Sequence, residues 1–262
     1  MVFSDWLLRP ENPWFSRNIT NRVWAWLMGR GVVQEPDDIR PDNPPSNPAL
    51  LEFLQREFVT SRCDMKQLFR VILNSKTFQL SSIPAQDTPE AATNFAHYPL
   101  RRMEAEVLID ALNQITGTKE SYSSPIPEPF TFIPENVRAV ALADGSITSS
   151  FLELYGRAPR DTGFESERNR NTSAAQRMHL LNSTHLHQKI KACPLVTEAH
   201  DGESKPRELA AKIYLAILSR PPTERELATV ESHAKSSYAG TQDLAEDLAW
   251  ALINQPEFFY IH

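Results

Sequence analysis

The side chains best equipped for chemistry crowd into one stretch. Arg160-Asp-Thr-Gly-Phe-Glu-Ser-Glu-Arg-Asn-Arg-Asn171 sets three arginines against one aspartate and two glutamates, so its formal charge is zero. Balanced charge interleaved with Asn, Ser and Thr favours self-pairing. It would present Arg160, Asp161, Glu165, Glu167 and Arg168 as an ordered surface that recognises a ligand through charge-assisted hydrogen bonds. Arg17, Asn21 and Arg22, grouped on one face of a helical pattern, form a second candidate binding patch. Glu165 with Glu167, or Glu106 with Asp110, are paired carboxylates of the kind used in acid–base hydrolysis. Glycosidase chemistry would need such a pair about 5 to 9 Å apart in one cleft, whereas on a helix face such groups are more often solvated or ion-paired.

Other constellations are weaker. His179, His185 and His187 are spaced by six and two. Helical zinc ligands want four, so these converge only where a helix breaks near Asn182. Asp37, Asp38 and Asp42 lack the Gly and terminal Glu of a calcium loop and read as turn and cap residues. Cys63 and Cys193 lie far apart and read as free thiols. The chain holds no Gly-x-Ser-x-Gly, Walker, His-Glu-x-x-His or Cys-x-x-Cys-His motif, so no catalytic residue, metal or cofactor is assigned to it.

The elements that must position these groups are helical. Eight Gly against 20 Pro supply helix starts and stiff loops but few phosphate turns. The reading is all-α: a compact multi-helix domain with long Pro-rich ordered loops, in which two pseudo-repeated three-helix arms flank a central region. Helices are expected over 14–28, 47–58, 64–75, 99–115 and 148–155. Further helices span 174–191 with a break near Asn182-Ser183, then 206–219, 223–238 and 243–254. In the 99–115 helix, Met103, Val107, Leu108, Ala111, Leu112 and Ile115 should point inward. Its polar face should carry Arg101, Arg102, Glu104, Glu106 and Asp110, with Arg102 and Glu106 in i,i+4 register. Residues 79–97 read as a linker, 199–206 as another, and Phe130 to Ile133 as a short strand. One domain spans 1–262, with an N-terminal arm 1–80, a central region 98–192 and a C-terminal arm 205–262.

The arms rest on an internal echo. Leu68 to Phe78 and Leu248 to Phe258 align without a gap at a separation of 180 residues, each with Asn as its seventh residue. Upstream of each, an apolar helix ends in a small residue plus arginine, Gly29-Arg30 and Ser219-Arg220.

A net charge of −6 with no Lys/Arg run argues against a nucleic-acid partner. No apolar run approaches the ~20 residues of a membrane span, and the first residues carry no export signal.

Several strings together resemble the planctomycete-type PSD-one domain, a family of unknown function. They are Asn21-Arg-Val-Trp-Ala-Trp-Leu-Met-Gly-Arg-Gly-Val-Val33, Asp37-Asp38, Pro44-Pro45-Ser46-Asn47-Pro48 before Leu50-Leu51, Thr172, Gln176, Leu180-Leu181-Asn182, Leu218-Ser-Arg-Pro-Pro-Thr-Glu224 and Pro256-Glu-Phe258. The family pattern more often has His where this chain has Asn47, and the run 160–168 looks like a subgroup feature. The resemblance implies a detached C-terminal domain of a longer exported protein, in a periplasmic or cell-envelope setting. It also implies partners, a planctomycete cytochrome c domain carrying the heme and a PSCyt-two domain. The function expected is a helical binding or docking module of such an assembly, with a glycan as a possible ligand. The alternative is a hydrolase or redox accessory enzyme acting on polysaccharide.

Overall fold

A computed structural model describes residues 2–9, 11–86, 88–127, 129–134, 136–142, 145–157, 167–201, 205–236 and 240–261. They fall into two compact units, 2–101 and 102–261. Helices dominate both, and among the described residues the sheet content is one two-stranded pairing of β1 (Arg101–Arg102) with β2 (Tyr260–Ile261). The all-α reading holds.

In the first unit, α1 (Val2–Leu7) precedes α2 (Pro13–Met28), α3 (Pro48–Thr60), α4 (Met65–Leu73) and α5 (Pro89–Thr93). Helix α2 starts where the Asn12 side chain accepts from Trp14 N and stops at Gly29, whose φ of 72° is the left-handed conformation that glycine adopts without strain. Asn47 caps α3 and Asp64 caps α4. The apolar faces of these three helices enclose Trp24, Met28, Leu51, Leu54, Phe58, Leu68 and Ile72. Residues 79–97 are more than a linker. They include α5, and Phe95 and Tyr98 are buried in the same core, Phe95 edge-on to Trp24 at 5.1 Å between ring centroids.

The second unit contains α6 (Ala105–Thr116), α7 (Ser150–Leu154), α8 (Ala174–Asn182), α9 (Thr184–Lys191), α10 (Pro194–Thr197), α11 (Pro206–Leu218), α12 (Glu224–Ser236), α13 (Thr241–Ile253) and α14 (Pro256–Phe259). Its core joins Leu108, Ile109 and Leu112 to Phe151, Leu152, Ile213, Leu252 and Phe258. Ser183 ends α8 and caps α9, placing the helix break where it is expected. Thr223 and Glu226 exchange the reciprocal bonds of a capping box at α12.

Two expectations are corrected. The helix read as starting at 99 begins at Ala105, because the preceding backbone is drawn into the sheet and Met103 N donates to Phe259 O. Arg101 and Arg102 are therefore not on its face, and the Arg102–Glu106 helical pair does not form. The helix is also turned relative to its apolar pattern: Val107 is exposed, whereas Glu106 and Asp110 are buried. Residues 130–133 form no strand; Phe130 and Phe132 are exposed, and the nearby bridge joins Ser123 to Thr148.

The segments that align at a separation of 180 residues share local geometry. Asn74 after α4 and Asn254 after α13 have backbone angles of −85°, −1° and −83°, −3°, and each donates its side-chain amide to the carbonyl four residues back at 2.9 Å. Upstream, α2 and α11 both close on a left-handed residue, Gly29 and Ser219, that donates to the carbonyl four residues earlier.

Candidate functional site

Of the polar run, Arg160, Asp161 and Glu165 lie outside the described residues; Glu167 and Arg168 lie within them, both half-buried. Arg168 places a fork on Glu106, Nη1 to Oε2 at 2.9 Å and Nη2 to Oε1 at 3.0 Å, the bidentate geometry that best suits guanidinium and carboxylate. Arg157 approaches the same carboxylate at 3.4 Å. Glu104 takes Arg170 at 3.1 Å and Arg168 at 3.4 Å. Arg102 Nη2 donates to Tyr155 O and Asn169 O, each at 2.8 Å. Gly156 makes this approach possible: Asn169 N donates to its carbonyl, and a Cβ on Gly156 would stand 2.0 Å from Asn169 O. The end of the polar run is thus tied to the start of α6 by ion pairs, and through the Asn169 backbone to Gly156 and the Arg102 guanidinium. Glu106 keeps only 10% of its side chain exposed, and its enclosed carboxylate is matched by the two arginines that reach it.

Asp110, one turn along α6, is held differently. Its oxygens accept from Ala139 N at 2.8 Å and Val140 N at 3.1 Å, with Arg138 Nε at 3.5 Å. Both carboxylates of the pair named from sequence are therefore engaged by donors within the protein.

A second polar group lies along α8 and α9. His185 Nε2 and Lys189 Nζ meet Glu120 Oε2 at 3.0 and 3.3 Å. Burial alone would raise the Glu120 pKa, but these two donors outweigh it and hold the carboxyl below its usual range. Lys189 is buried yet satisfied, donating also to Asn113 Oδ1, Thr118 Oγ1 and Lys119 O. His179 sits 5.7 Å from His185 between ring centroids, with its Nδ1 3.3 Å from Tyr155 Oη. Burial first, then the neighbouring His185, push its pKa down. Burial together with Asp110 and Glu120 raises the Tyr122 phenol to about 12. The helix break does bring His179 and His185 together, while His187 points away to an exposed position. Among the described residues, no three His, Cys, Asp or Glu side chains gather as a metal ion would require.

The other candidate patch divides. Asn21 is fully buried and spans the following loop, donating to Val33 O and Pro36 O and accepting from Val33 N. Arg22 pairs with Asp37, Asp38 and Asp42 lie beside Arg40, and Arg17 is half-buried. Cys193 is buried and Cys63 half-buried, both as free thiols.

Sequence reasoning missed Arg157, Glu120, Tyr155 and Lys189. Their partners lie from 10 to 76 residues away along the chain, as for Arg157 with Ile147 and Lys189 with Asn113, and no local spacing signals such contacts.

A family model described as PSD1, a protein of unknown function (DUF1553), matches residues 1–234. No curated protein and no solved structure matched the chain.

Proposed function

The chain belongs to the PSD1 family of proteins of unknown function, and from that premise we propose that it is a helical binding module. It works within a larger assembly of the cell envelope, beside a cytochrome c domain that carries the heme and a PSCyt-two domain. The observation that carries this reading is the fate of the carboxylates. Glu104 and Glu106 are engaged by Arg157, Arg168 and Arg170, and Asp110 by two backbone amides. Such groups form a rigid frame rather than an acid–base pair, and the frame fixes the last residues of the polar run. Arg160, Asp161, Glu165 and Glu167 are the recognition residues in this reading, together with Arg168, which Glu104 and Glu106 hold in place.

The test is sedimentation of the purified chain with a purified planctomycete-type cytochrome c domain. A complex that disappears in the R160A/D161A/E165A variant supports the module. No complex with that domain, or one indifferent to the triple substitution, removes it.

A further inference from the structure

Beside α6 lies a pocket of about 320 Å³ that the ion-paired frame does not fill. That volume is within the roughly 300 to 1,000 Å³ of small-molecule sites. Asp110, Asn113, Lys119, Glu120, Asn136 and Arg138 line it, all within the second unit.

Its side-chain acceptors are largely engaged by the protein itself. Asp110 takes Ala139 N and Val140 N, one Glu120 oxygen takes His185 and Lys189, Asn113 Oδ1 takes Lys189 Nζ, and Asn136 Oδ1 takes Lys119 Nζ. Its donors are not. Among the described residues, the amide NH₂ groups of Asn113 and Asn136 make no hydrogen bond, and the exposed Arg138 meets only Asp110, through Nε. The charges of Asp110 and Glu120 are countered by Arg138 and Lys189, which leaves Lys119 in excess. A pocket of open donors and engaged acceptors selects a ligand rich in acceptors and negatively charged.

We propose that this pocket binds a small hydroxylated carboxylate, the class of a sugar acid. Lys119 and Arg138 take the carboxylate, and the amides of Asn113 and Asn136 donate to hydroxyl oxygens. The proposal rests on the binding-module reading and gives that module a ligand. Complex formation with the cytochrome c domain reports on the module alone, and small-molecule titration on the pocket alone.

The experiment is isothermal titration calorimetry of the whole chain with D-galacturonate, D-galactose and inorganic phosphate. Galacturonate is expected to bind about a hundredfold more tightly than galactose, the difference of two charge-assisted contacts of about tenfold each. Lys119→Gln and Arg138→Gln should each weaken galacturonate about tenfold without shifting Tm, since both side chains are exposed. Any of three results overturns the proposal: no galacturonate binding, equal affinity for galactose or phosphate, or both variants binding like the parent chain.

Discussion

Glu106 carries most of the order at the proposed frame. Replacing it with Gln leaves Arg168 and Arg157 facing a neutral amide in an enclosed site, and breaking a buried pair from one side costs about 3 to 5 kcal/mol. Glu106→Gln should therefore lower unfolding free energy in urea by about that much, whereas Glu104→Gln, at a more exposed carboxylate, should cost about 1 kcal/mol or less. A second residue gives a pH signature. Arg220 forks onto Glu226 and Glu257, and its hydrogen bond, with that of Thr223 N, lowers the Glu226 pKa from 4.5 to about 2. A depressed carboxylate pKa contributes stability that is complete above the unfolded value and is lost as pH falls through the folded one. Thermal stability should therefore drop between pH 4.5 and about 2, and Glu226→Gln should flatten that decline. The sequence names Glu106 and Asp110 as a pair but places them on the outer face of α6. Burial of a carboxylate depends on arginines 51 and 62 residues further on, which helical periodicity cannot register.

At the level of elements, the ends of helices were the most legible feature, because caps are set by residues adjacent in sequence. Asn47, Gly29, Ser183 and the Thr223–Glu226 box all act as their types suggest. The start of α6 was not legible, since it is fixed by a backbone bond from Met103 to Phe259, distant in the chain. The left-handed closures of α2 and α11 make a matched pair of predictions. Ser219 holds φ at 56°, so Ser219→Gly should stabilise the chain by about 0.5 to 1 kcal/mol and raise Tm. Gly29→Ala should do the reverse by more, because it adds strain and its Cβ would stand 2.2 Å from Arg101 Cδ.

On the scale of the molecule, the sequence conveys the all-α class and most of the helices. It did not convey that 79–97 contributes Phe95 to a core, because two isolated aromatics among polar residues carry no periodicity. Each unit has its own cluster of buried side chains, and truncation in either should cost about 2 to 5 kcal/mol. Leu51→Ala should lower amide-exchange protection within 48–73, and Leu252→Ala within 206–253, as read by hydrogen-exchange mass spectrometry.

The measurement that bears most directly on the binding-module account is an exchange footprint of the whole chain with and without the cytochrome c domain. Protection concentrated in 156–171, with α12 unchanged, is the result the account predicts. An unchanged profile across 156–171 at saturating partner would contradict it.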